Sequence, residues 1–593
     1  MRWDGAVLKC VLAGVVAGGF GGMSGSALAA TTNVACGDVP GLIAALQSAA
    51  NGDTVRLAKQ CTYTLATPIS GSDGLPTISV ALRIDGRGST IQRSSAGGMP
   101  LFRILHVGAT GDLTLQNVTL RNGSLDNFPG QNGAGVLNSG GRLTMDRVTV
   151  TGNKAFQGGG VFSYGGPFTM TNSVVSNNEC TDHGGGMHLD GSVTITDSQV
   201  TNNTALIFAG GILHSGPTTL VRTTVSGNSA NAAGGVMSYL GSNSPLTLID
   251  SEVRNNTASA FGGIFSYGST IWMVGSTVSG NKATQGTGGG IQTSGLLAIF
   301  SSAITSNSSF TNGGAINATG TTLLSNSAVD GNTALFGGGL DVSGSTTVYR
   351  TTFSGNSALT ASGGAILAGS GTLNVVESSF YANEATFGGA VKSYGNLNIN
   401  RSTFVGNTAA LGGALAVLSA PAPATILNST FWGNTASTGG GIITYADLRV
   451  LSSTFGANAG SSTGGAGGIE VVSFNGPIGS LEIRNSIVAT NTGASPNIGG
   501  GVTSAGYNVI GDTTGSSGWA ASDTTGVTAP GLAGGPASNG GPTETVALLT
   551  SSPALDFVPV GSCVDAGGAS LTLDQRLFAR PSGSACDAGA YEY

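Results

Sequence analysis

Fourteen asparagines recur down the chain at a nearly constant interval. They are Asn122, Asn153, Asn178, Asn203, Asn228, Asn256, Asn281, Asn307, Asn332, Asn356, Asn383, Asn407, Asn434 and Asn458, separated by 24 to 31 residues. Self-similarity at such a period is the signature of a solenoid, whose single repeat cannot bury its own apolar face and must stack on its neighbours. One period is therefore one coil.

The phrase around each asparagine returns as well, as in Ser226-Gly227-Asn228-Ser229-Ala230 followed by Gly234-Gly235-Val236. Ahead of it lies a short alternating run such as Leu143 to Val150, and a period of two signals a strand. With 101 glycines available for tight corners and no helical periodicity inside the repeats, the expected fold is all-β: a right-handed parallel β-helix. Thirteen intervals at roughly 4.8 Å per coil make about 60 Å of rod. The asparagines fit as a structural ladder, in which stacked amides bond to each other and to the turn backbone, with Asn itself in the left-handed conformation.

The first thirty residues carry Arg2 and Lys9, an apolar run from Val11 to Phe20 and an Ala27-Leu28-Ala29 cleavage site, the layout of a secretory signal. The expected organisation is a signal peptide over 1–30, an N-terminal cap and first coils over 31–105, β-helix over 106–512 and a C-terminal region over 513–593. Removing Arg2, Lys9 and Asp4 changes the net charge of −7 to −8, which disfavours nucleic acid as a partner. No later stretch is apolar enough to span a membrane as a helix, so the expected location is extracellular or the outer cell surface. In an exported chain, Cys36 with Cys61 and Cys563 with Cys586 read as two disulfides, and Cys180 is left over as a buried small residue. The segment Val39 to Ala50 is the best helix candidate, with Leu42, Ile43, Leu46 and Ala50 on one face, and would cap the open end of the coil stack.

Phe353-Ser354-Gly355-Asn356 with Gly363-Gly364-Ala365-Ile366, and Phe380 to Asn383 with Gly388-Gly389-Ala390-Val391, resemble the FxxN and GGA(I/L/V) repeats of polymorphic outer-membrane proteins. Residues 113–470 carry that resemblance, which implies a pectate-lyase-like solenoid used in adhesion. Gly506-Tyr507-Asn508, Asn539-Gly540-Gly541-Pro542, Asp574-Gln575-Arg576 and Cys586-Asp587-Ala588-Gly589-Ala590-Tyr591-Glu592 resemble the "choice-of-anchor Q" region of bacterial surface β-helix proteins. There the charged residues Asp574, Arg576, Arg580, Asp587 and Glu592 read as paired structural charges holding a loop-rich C-terminal cap.

Aligned on the double glycine, the coils give an inward apolar column from Val161 through Met187 and Ile212 to Leu415, and two outward columns. The outward positions are aromatic over the first half of the rod, and Tyr164, Tyr239, Phe265 and Tyr267 are the expected ligand-binding residues, either stacking on sugar rings or packing on each other. Glu179, Cys180, Asp182, His183, His188 and Asp190, with His214 one coil on, gather three of the four histidines. His188, Asp190 and Asp182 are the catalytic candidates there, although hydrolases on such a face use paired carboxylates and only one per coil is found. No metal site and no cofactor are expected, calcium entering only if the chain is a polysaccharide lyase. The sequence thus points to an exported, non-catalytic, adhesive or glycan-binding protein whose partner is a polysaccharide or cell-surface glycan. A polysaccharide lyase or hydrolase and a structural spacer are the alternatives.

Overall fold

The structure, a computed structural model, describes residues 29–126, 128–239, 244–472 and 479–593. The expected signal peptide lies outside these residues up to position 28. A regular coil contributes three short strands and a fourth of two to six residues, for example Val161–Tyr164, Phe168–Thr171, Val174–Ser176 and Glu179–Cys180. Each pairs in parallel with its counterpart one coil on, Val161 opposite Met187, Phe168 opposite Val193, Val174 opposite Gln199 and Glu179 opposite Thr204. The chain is thus a parallel β-helix of about 19 turns. At about 4.8 Å per turn the rod is roughly 90 Å long. The inward column is buried throughout, from Val161 to Leu415, and forms one continuous core.

The alternating run Leu143 to Val150 is two strands, Arg142–Asp146 and Thr149–Thr151. Between them Arg147 adopts φ +53°, and Asn172, Asp197 and Arg222 turn the same corner in later coils. Glycine is therefore not the sole corner residue. It is required where coils touch: a Cβ on Gly389 would lie 2.1 Å from Gly413 O, inside any real contact distance.

The asparagine ladder runs from Asn153 to Asn491, each Nδ2 donating to the Oδ1 of the next member at 2.8–3.1 Å. The same Oδ1 accepts the preceding coil's backbone N–H, and Nδ2 gives its second proton to a carbonyl, as Asn307 does to Val278 O at 2.9 Å. Asn122 is not a member. Gly123 holds that register, its N–H donating to Asn153 Oδ1 at 2.9 Å, while Asn122 sits one place earlier at φ +63°. Nor are the ladder residues left-handed; the positive φ belongs to the residue before each, as at Gly152, Asn177 and Asn202. Asn491 continues to Asn497 at 3.0 Å, two members that fall outside the regular period.

A second ladder of hydroxyls runs parallel to the first. Val148 N donates to Ser173 Oγ at 2.9 Å, Ser173 N to Ser198 Oγ at 3.1 Å, and the series ends with Ser453 N on Ser486 Oγ at 3.2 Å. Phe353, Phe380, Phe404, Phe431 and Phe455 stack in the core at 4.6–4.9 Å with planes within 5°. The FxxN spacing has a physical reason here: Phe fills the core, and Asn three residues on reaches the Phe carbonyl of the coil below, as Asn407 Nδ2 does to Phe380 O at 3.0 Å.

The N-terminal helix, Val39–Gln47, starts where Asp38 Oδ1 accepts Gly41 N–H at 2.9 Å and stops at Ser48, so Ala50 lies beyond it and Ala45 joins Leu42 and Leu46 in the core. Both disulfides, Cys36–Cys61 and Cys563–Cys586, are formed, and Cys180 is free and buried. The C-terminal segment folds back along the flank of the last coils. Gln575 spans two of them, donating to Thr403 Oγ1 and accepting from Thr430 Oγ1, both at 2.7 Å, while Arg484 reaches Asp565 O at 2.9 Å. Its charges are drawn inside, with Arg580 paired to Glu592 at 3.0 Å and Arg576 to Asp574 at 2.8 Å, all four buried.

Asn307→Ala removes the Oδ1 that accepts both the backbone N–H and the Nδ2 of Asn281 and leaves those buried donors unpaired. Each unpaired buried donor costs about 1–3 kcal/mol, so the urea midpoint should fall clearly. Asn122→Gly, outside the ladder and unstrained at φ +63°, should stay within about 0.5 kcal/mol of wild type. Equal shifts in the two variants would overturn the assigned ladder register.

Candidate functional site

Alternation sends residues 162, 188, 213, 237 and 265 away from the core, yet four of them are almost fully covered: Phe162, His188, Leu213 and Met237 are at most 8% exposed. The turns ahead of each double glycine close over them as a second layer. His183, Phe208 and Ala232 pair as parallel bridges in successive coils, and Phe208, Ala209 and Ala233 pack on Leu213 and Met237. The expected flat aromatic strip is therefore interrupted. Tyr239 stands edge-on to His183 at 5.7 Å, and Phe265 stacks on Phe261 at 4.2 Å. Both are engaged in packing under the layer, while Tyr164 and Tyr267 are 63% and 68% exposed.

The next outward column lies at the edge of the layer, and strand register fixes its order: Ser139, Tyr164, Asp190, Ser215, Tyr239, Tyr267. These six residues occupy consecutive coils, so the stripe is about 24 Å long. It alternates hydroxyl, carboxylate and aromatic groups, with an open ring near each end.

The His/Asp cluster is assembled by the same stacking. Asp182 binds on both oxygens, Oδ1 2.5 Å from His183 Nδ1 and Oδ2 accepting Gln157 Nε2 at 2.7 Å. The His183 contact is close without being a formed hydrogen bond. Burial holds His183 below the usual histidine range against the pull of Asp182. His188 Nε2 lies 3.4 Å from Asp190 Oδ1, and His188 packs on Phe162 at 4.7 Å. Burial alone would raise Asp190; hydrogen bonds from His188 and Ser215 outweigh it and leave that carboxyl below its ordinary value.

Asp182 and Asp190 thus face different histidines, Asp182 with His183 and Asp190 with His188. Among the described residues no group of three or more His, Cys, Asp or Glu is placed to hold a metal ion. Cys180 is pushed up to about 12 by burial, so it is a packed thiol and not a nucleophile. His214 points inward as its column requires, fully buried, with Nδ1 3.0 Å from Gly216 O and Nε2 2.8 Å from Ser238 Oγ. Burial pushes it down to about 4. The fourth histidine, His106, which the double-glycine alignment does not reach, lies three coils before His188 in an independent polar group.

Compared with known proteins, residues 103–295 match the family model described as right handed beta helix region, in keeping with a right-handed coil. No curated protein matches. Among solved structures, the crystal structure of pectate lyase Pel9A is matched at 13% identity and a TM-score of 0.16, over 96% of this chain and 97% of that one.

The buried neutral His214 makes stability depend on pH. Its folded pKa of about 4 lies below the unfolded value of 6.5, so between them the unfolded chain binds the extra proton and stability is lost as pH falls. From pH 7 to 4.5 this one group should remove about 2–3 kcal/mol. His214→Gln should flatten that part of the pH dependence, and an unchanged slope would show that His214 is not the group responsible.

Proposed function

We propose that this protein is an exported β-helical rod that binds polysaccharide along the stripe from Ser139 to Tyr267. The observation that carries the reading is the pair of exposed tyrosines, Tyr164 and Tyr267, set four coils apart with Asp190 and Ser215 between them. Four coils span about 19 Å, the length of several sugar residues. Each open ring offers a face on which a sugar can stack, and the intervening carboxylate and hydroxyl accept hydrogen bonds from sugar hydroxyls. The likeness of the repeats to polymorphic outer-membrane proteins and of the tail to choice-of-anchor Q regions supports a place at the bacterial outer surface.

Binding of the full chain to a panel of neutral and acidic polysaccharides, with and without calcium, tests this. Tyr164→Ala combined with Tyr267→Ala should weaken binding at least tenfold, at about 1 kcal/mol or more for each stacked ring, without lowering the melting temperature. Binding unchanged in the double variant, or none across the panel, would sink the reading. Unsaturated or reducing ends released by wild type and lost in Asp190→Ala would make it a depolymerising enzyme instead.

A further inference from the structure

His106 lies in the strand Leu105–Val107 with its side chain 21% exposed. Its Nδ1 is 2.8 Å from Asp73 Oδ2, and its Nε2 is 2.9 Å from Ser139 Oγ. A single ring proton satisfies both contacts when Nδ1–H donates to the carboxylate and Nε2 accepts the serine O–H. This is the order of an acid–base–nucleophile relay, in which the carboxylate orients the imidazole and the imidazole deprotonates the hydroxyl. The three residues come from three successive coils, 33 residues apart in each step.

The carboxylate is held in place. Asp73 bridges Arg103 in parallel, with Gly74 N on Arg103 O at 2.8 Å and Arg103 N on Ser72 O at 2.9 Å. The buried Arg103 guanidinium lies 3.3 Å from Asp73 Oδ1, which leaves Oδ2 for the imidazole. Thr77 Oγ1 stands 3.4 Å from both Asp73 Oδ2 and His106 Nδ1, at the outer limit of contact. Ser139 ends its strand and is followed by exposed Gly140 at φ +101°, so no side chain shields the hydroxyl from that side. Coil stacking does not demand the trio: the register equivalents of His106 in the next two coils are Leu137 and Phe162, and that of Ser139 is Tyr164.

We propose that Asp73, His106 and Ser139 form a charge-relay triad that hydrolyses O-acyl esters. Ser139 Oγ bonds to the acyl carbon while its proton passes to His106 Nε2. Collapse of the intermediate breaks the bond between acyl carbon and alkoxy oxygen, and the alcohol leaves with that proton. Water, deprotonated by His106, then cleaves the acyl-serine, releasing the carboxylic acid and returning the proton to Ser139. The open sheet face suits a small acyl group, such as acetyl, carried on a large polymer. Exposed Tyr164, in register with Ser139 on the adjacent coil, supplies the ring beside the reacting centre. That the polymer is a polysaccharide rests on the binding reading above; the triad does not.

The full chain is tested with a fluorophosphonate probe, with p-nitrophenyl acetate, and with acetylated xylan and pectin. The expected results are one phosphonyl adduct located on Ser139 by mass spectrometry, turnover of the small ester, and acetate release from a polymer. Ser139→Ala should abolish all three with its melting temperature unchanged. His106→Gln and Asp73→Asn should each lower kcat roughly 10³–10⁴-fold. Absence of the adduct on Ser139 together with ester turnover no greater than in Ser139→Ala overturns the triad, whatever the folding of the other variants. Small-ester turnover without acetate release from any polymer overturns the polysaccharide ester as substrate and leaves the triad standing.

Discussion

The structure depends on the hydrogen bonds that close one corner of every coil. A parallel solenoid turns its backbone inward at that corner, where N–H groups are out of reach of both water and the strand ladders. A buried asparagine solves this because its carbonyl oxygen takes two donors from the coil before, while its amide reaches the coil after and a backbone carbonyl. Each side chain therefore satisfies its neighbours' groups as well as its own. The ladder holds its corner in register from coil to coil while the residues between its members vary from 24 to 33.

That constraint decides what was legible in the sequence. The ladder asparagines, the inward column and the paired cysteines could be read because each repeats or pairs in a way few alternatives share. Asn122 was misplaced by one residue because Asn suits both the left-handed corner and the ladder position, and only the hydrogen bond from Gly123 tells them apart. The hydroxyl ladder of Ser173, Ser198 and their successors went unseen because serine and threonine are everywhere in this chain. The covering layer over Phe162, His188 and Leu213 was hidden for another reason. It is built from turns of unequal length, so it has no period, and Tyr239 and Phe265 were placed on an open face they do not share.

The charged tail follows the same physics from a different direction. Asp574, Arg576, Arg580 and Glu592 read in the sequence as paired structural charges, and all four are buried; burial pulls the Arg580 guanidinium below its usual value while Glu592 pulls it back. Such a pair contributes little net stability over an apolar one but is expensive to break, because either partner alone would be a bare buried charge. Together with Gln575, which bonds across two coils, it fixes where the segment can dock. These residues specify the register of tail on rod, which accounts for their density without any chemistry.

A rod of stacked coils is well suited to composite sites, because strand spacing places equivalent positions about 4.8 Å apart whatever their distance in sequence. Side chains of ordinary length bridge that gap with a hydrogen bond, so three adjacent coils can present three different functional groups in a row. Asp73, His106 and Ser139 lie diagonally across three such coils, Asp73 opposite Arg103 and His106 opposite Leu137, and Tyr164, Asp190 and Ser215 extend the outward face beyond Ser139 in register. The early coils run 30 to 31 residues, against about 25 along most of the rod, and the double-glycine column starts at Gly159, downstream of all three. Positions 33 residues apart do not align at a period of 25, although coil stacking brings them within hydrogen-bond reach.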